Sequence, residues 1–157
     1  KQKTAYEIYQ CDWSSDVCSS DLSIIKQHPE LQKMMADVRR VFKLSGRTNM
    51  LDGYDPKEYD DLYGKYVFKK RIPSWLPPQK QVESGCDHLY ITRMYSFCVS
   101  LIDNYITTLP QIYQRINQFG VDTEHAHFGC IDKNYVVEFD NLYCEGVLAG
   151  NGQTERY

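Results

Sequence analysis

The sequence predicts an α+β fold, rich in helix, with a small antiparallel hairpin or sheet in its C-terminal third. Three observations carry that expectation. Apolar residues recur at three- and four-residue intervals from Pro29 to Leu44. A wider stripe of the same period runs from about Asp87 to Phe119. After Gly120 the period shortens, and His125 to Ile131 and Asn134 to Phe139 resemble strands.

Each element has a local reason. In the first helix Leu31, Met34, Met35, Val38, Val41 and Phe42 form the apolar face, Pro29 suits the first helical position, and Gly46 supplies the stop. Asp55, Pro56 and Glu58 give an N-cap, a first-turn proline and a capping-box acid for a short helix carrying Tyr59, Leu62 and Tyr63. The stretch IPSWLPPQ, Ile72 to Gln79, has too many prolines for a regular helix or a central strand. In the long helix Ile91, Met94, Tyr95, Cys98, Leu101, Ile102, Tyr105 and Leu109 make the stripe. Pro110 is expected to kink or divide it, with Thr108 capping the second half and Gly120 ending it. The turn Asp132-Lys133-Asn134 then joins two strands, NLYCEGVLAG adds another, and Gly150 to Tyr157 is expected to fray.

Residues Lys1 to Leu22 resemble the translation of a common indexed sequencing-library adapter. KQKTAYEI and DWSSDVCSSDL match its two halves in order, with room between them for a sample index. The resemblance implies that 1–22 is an artefact without order of its own, and that 23–157 is a single domain and a fragment, with any leader outside it. It also removes Lys1 and Lys3 from the eighteen basic residues, and Glu7, Asp12, Asp16 and Asp21 from the twenty-one acidic ones. Net charge thereby moves from −3 to −1.

A near-neutral chain has no general pull toward nucleic acid or anionic membrane. No apolar run approaches the roughly 18 residues of a membrane span. Cys86, Cys98, Cys130 and Cys144 lack the paired spacing of a disulfide framework, which points to a reducing, cytoplasmic setting. Abundant tyrosine, with the Ile, Asn and Lys usage, suggests an AT-rich, microbial coding sequence.

The candidate chemistry centres on EHAHFGC, Glu124 to Cys130. On a strand His125 and His127 project from one face and suit a metal. Cys86 and His88, a Cys-x-His pair upstream, complete a four-ligand zinc set, whereas Cys130 has the wrong parity. HAHF also resembles, over about four residues, the HxH strand of zinc-dependent cell-wall endopeptidases of the lysostaphin type. There one such histidine binds zinc and the other assists catalysis. The upstream His and Asp motif of that family has no match in GCDHLYIT around His88. The plainer reading pairs the histidines across a hairpin, His127 with Glu138 and His125 with Asp140, or turns His127 onto an apolar face near Phe139.

Tyr63 to Arg71, YGKYVFKKR, interleaves aromatics with Lys65, Lys69, Lys70 and Arg71, a pattern suited to single-stranded nucleic acid. Asp52, Asp55, Asp60 and Asp61 lack the ordered spacing of a calcium loop. No phosphate-binding loop and no GxSxG nucleophile motif is present. The leading expectation is a non-catalytic binding or interaction module with a protein partner. Second is a zinc-binding protein, with hydrolysis as its chemistry, and third is a single-strand nucleic-acid binder.

Overall fold

The computed structural model describes residues 5–11, 27–45, 48–147 and 153–157. Gly46 and the remainder of the adapter-like segment lie outside them, as do 148–152. The fold is mixed α/β, but its strands are spread along the chain and not confined to the last third.

Strand β1 (Ala5–Cys11) precedes helix α1 (Pro29–Met35) and strands β2 (Val38–Ser45) and β3 (Thr48–Met50). A 3₁₀ turn (Pro56–Tyr59) leads to β4 (Tyr66–Lys69) and β5 (Ile72–Pro73). Helix α2 (Pro78–Ser84), β6 (His88–Leu89) and β7 (Met94–Cys98) follow. Helices α3 (Ile102–Phe119) and α4 (Thr123–Cys130) complete the helical layer. Strands β8 (Val136–Phe139), β9 (Cys144–Val147) and β10 (Thr154–Arg156) end the chain.

The main sheet has the order β1-β2-β7-β4-β8. β7 runs antiparallel to both β2 and β4, whereas β8 lies parallel to β4 and β1 parallel to β2. Its two faces bury different cores. Tyr66, Phe68, Tyr95 and Phe97 face Tyr105, Leu109 and Ile112 of α3 and Ala126 and Phe128 of α4. Val67, Phe42, Leu44 and Met94 face Tyr59, Leu142, Cys144 and Tyr157. Cys144 belongs to a second, antiparallel sheet ordered β10-β9-β3.

This architecture corrects three expectations. Residues 38–45 form a strand, not the second half of a helix. The β1–β2 register slips between Ala5/Val38 and Glu7/Val41, so an extra β2 residue puts Val38 and Val41 on the same face. That spacing imitates a helical repeat. Residues 94–98 are also a strand, buried at all five positions. A strand covered on both faces shows a continuous apolar run and loses its period of two. Third, 123–130 is a helix and not a strand. Asp122 caps it by accepting the His125 N–H at 2.9 Å.

Smaller corrections follow. Helix α3 carries Pro110 inside one continuous helical run, with Thr108 Oγ1 donating to Asn104 O and not capping a second helix. Gly120 ends α3 in the left-handed conformation, as expected. Asp55 caps its turn through the Lys57 N–H, as expected. Asp132 to Tyr135 is a capped 3₁₀ turn and not a hairpin loop, because β8 pairs with β4. The tail is held: β10 pairs with β9, and the Tyr157 N–H donates to Cys144 O at 2.8 Å. Finally, Ala5–Cys11, read as without order, forms the outer strand of the main sheet through backbone pairing with β2.

Candidate functional site

Helix α4 sets the geometry of both central histidines. Residues two apart on a helix diverge by about 200°, so His125 and His127 point to opposite sides. Each meets a different set of partners. Neither faces Glu138 or Asp140: Glu138 accepts from the Tyr90 hydroxyl at 3.3 Å and pairs with Arg71, while Asp140 pairs with Lys70.

His127 is enclosed in the core. Its Nδ1 lies 2.9 Å from Thr123 O and its Nε2 lies 3.2 Å from the Tyr105 hydroxyl. A carbonyl only accepts, so Nδ1 carries the proton and Nε2 accepts from Tyr105. The Tyr105 hydroxyl also meets that of Tyr95, whose ring lies beneath the Lys43 ammonium. Burial pushes the imidazole down to about 4, against a smaller upward effect of the Thr123 carbonyl, and Lys43 adds to the lowering. His127 is a neutral, fully partnered core residue.

His125 is fully buried too, but it leads outward. Its Nδ1 lies 2.6 Å from Asp122 Oδ1 and its Nε2 lies 2.8 Å from Ser74 Oγ. Ionised Asp122 can only accept, so the proton sits on Nδ1, Nε2 offers its lone pair, and the Ser74 hydroxyl donates to it. The His125 and Trp75 rings meet nearly at right angles, their centroids 5.1 Å apart at 89°.

Ser74 and Trp75 stand on the proline-rich connector, and several bonds fix that connector. Its start pairs with β6, Ile72 against Leu89 and Pro73 against His88. The Ser74 N–H donates to Asp87 O at 2.9 Å, and the Leu76 N–H donates to Ser74 Oγ at 3.1 Å. Gln81 Nε2, from α2, donates to Leu76 O at 2.7 Å and to Ser74 O at 3.4 Å. Pro73, Pro77 and Pro78 restrict the remaining torsions. On this base Trp75 is 59% exposed and Val82, on α2, is 84% exposed.

The expected zinc ligands do not converge. Cys86 is buried, with Sγ donating to His125 O at 3.3 Å and Ser84 O at 3.4 Å, and Arg115 reaching the sulfur at 3.7 Å. His88 is half-buried, its Nδ1 3.1 Å from Asp87 and its ring tilted against Phe128. Cys130 is half-buried, its thiol pushed up chiefly by burial, with Arg115 opposing and Cys86 adding to the rise. Among the described residues no group of three His, Cys, Asp or Glu side chains is placed to hold a metal ion. The same-face geometry required a strand, and the Asp122 cap makes a helix instead.

Two aromatics of the basic-aromatic segment are likewise committed inward. Tyr66 and Phe68 are buried, so their ring faces belong to the core and not to bases. Lys65 donates to Asn134 O, Lys69 lies over the Tyr157 ring, Lys70 pairs with Asp140, and Arg71 pairs with Glu138. The residues that sequence reasoning missed are Ser74, Trp75 and Asp122. Only the cap pattern Asp122-Thr-Glu, ahead of the histidines, signalled the helix that joins them. No protein-family model matches this chain, and no curated protein matches it at a significant level.

Proposed function

We propose that this protein is a binding module that engages a protein partner through Trp75. The observation that carries the reading is a large aromatic side chain, more than half exposed, on a connector held by prolines and side-chain hydrogen bonds. Exposed tryptophans on rigid supports are typical binding anchors, because little conformational freedom is lost when a partner encloses them. Val82, on the helix that follows the connector, is a second exposed apolar side chain. The complementary surface would be an apolar pocket deep enough for an indole, with acceptors for its N–H.

Selection of displayed peptides against the immobilised protein tests this. Selected peptides are expected to lose at least about tenfold in affinity on Trp75→Ala, the 1.4 kcal/mol or more of an anchor residue. Tyr63→Ala, at a residue 79% exposed and outside the connector, serves as the control and leaves affinity unchanged. Peptides that ignore Trp75→Ala would overturn the reading. We also infer that residues 1–22 are adapter-derived and take no part in this function.

A further inference from the structure

We propose that Ser74 is an activated nucleophile, with His125 as its general base and Asp122 as the residue that orients the imidazole. The inference goes beyond partner binding and assigns the same connector a chemical activity. Its expected substrates are carboxylic esters whose apolar part lies against Trp75.

The argument rests on order, tautomer and support. Hydroxyl, imidazole and carboxylate stand in line, 2.8 Å and 2.6 Å apart at their two hydrogen bonds. These distances fall within the reach needed for proton transfer. The carboxylate fixes the proton on Nδ1 and leaves the Nε2 lone pair aimed at the hydroxyl proton. A clamp between a loop and a helix needs only one hydrogen bond of either polarity. This line instead places a carboxylate where positive charge develops when Nε2 takes the serine proton. Asp122 is itself held, because the same oxygen accepts the His125 N–H at 2.9 Å. Ser74 is half-buried, with its backbone N–H fixed on Asp87 O, so the residue stands on a rigid base.

The chemistry balances with the groups present. Ser74 Oγ attacks the ester carbonyl carbon while its proton passes to His125 Nε2. The Leu76 N–H donates to Oγ at 3.1 Å and so fixes the position of the nucleophile, while the negative charge develops on the carbonyl oxygen of the ester. Collapse of the tetrahedral species breaks the carbon–oxygen bond to the alcohol, which leaves with the proton from Nε2. Water then attacks the acyl-serine, returns a proton through Nε2 to Ser74 Oγ, and releases the carboxylic acid. Trp75 packs at right angles to the imidazole, so entry of substrate requires the exposed indole to swing aside or to stack on the substrate.

The test is covalent labelling of the full chain with an alkyl fluorophosphonate, read by intact mass and peptide mapping. The expected result is one adduct, on Ser74, absent in Ser74→Ala. Asp122→Asn keeps an N-cap acceptor, and therefore helix α4, but no longer fixes the imidazole tautomer. It is expected to slow labelling at least about a hundredfold with the melting temperature retained. Trp75→Ala is expected to remove the preference for long over short alkyl chains. Failure of the unmodified chain to label at Ser74 overturns the proposal, with no variant needed. Equal labelling rates for Asp122→Asn and the parent overturn the assignment of base and orienting group. Peptide affinity at Trp75 is read separately, so either proposal can fail alone.

Discussion

At neutral pH His127 directs one ring nitrogen to Thr123 and the other to Tyr105, with none left for water. Protonation would put a charge in the core and turn an acceptor toward a second donor. An unfolded histidine titrates near 6.5, whereas this one is held down to about 4, chiefly by burial. The folded pKa is depressed, so the fold keeps its full stability above about 6.5 and loses it as pH falls toward 4. The loss is expected to reach about 3 kcal/mol below pH 4, from the difference between the two pKa values. Urea titrations at pH 7 and pH 4.5 check this, and His127→Gln should flatten the difference. An unchanged slope in that variant would assign the acid sensitivity elsewhere. His125, only two residues away, has a carboxylate hydrogen-bond partner in Asp122, so the two histidines differ through helix geometry and not through composition.

At the scale of elements, one buried cation ties three segments together. Arg40, on β2, donates to Ser96 Oγ on β7 at 3.1 Å and to Lys65 O at 3.2 Å, and it also reaches Leu62 O. Its guanidinium lies 5.7 Å from the Tyr59 ring centroid. Arg40→Met keeps the volume but strands acceptors, and is expected to cost about 3 kcal/mol in chemical denaturation. A loss under about 1 kcal/mol would mean that water replaces the guanidinium. This residue also explains why β2 was hard to read. VRRVFKLS places a charge inside and a bulge among its apolar positions, and both break the alternation that marks a strand. The punctuation marks were legible because they act locally: Asp55 as a cap, Gly120 as a stop, and the apolar pairs around β8 and β9. The site was not. Ser74 and His125 meet only because β5 pairs with β6 and α4 packs beside them, and no spacing within the sequence encodes that meeting.

For the whole molecule, the described residues form a sheet with helices on one face and a second small sheet on the other. Both faces of β4 and β7 are filled by residues after position 27. A chain starting at Ser23 is therefore expected to keep this fold, although it exposes the β2 edge that β1 covers. Its melting temperature should fall by no more than about 5 °C, the effect of roughly 1 kcal/mol in a domain of this size. Failure of the shortened chain to fold would show that Ala5–Cys11 is integral to the main sheet, whatever the origin of the segment. No described helix is long and apolar enough to cross a membrane.

The parallel pairing of β8 with β4 has a kinetic consequence. Between those two strands lie the proline-rich connector, β7 and both long-range histidine contacts. Closing that pairing brings together residues far apart in the chain, and loop-closure entropy is lost before the ladder repays it. β8 should therefore dock late, after β7 has joined β2 and β4. In amide exchange it should also be the first strand of the main sheet after β1 to open. Release of β8 frees Glu138 from Tyr90 and Arg71, which loosens the floor beneath α4 while Ser74 and His125 are still joined.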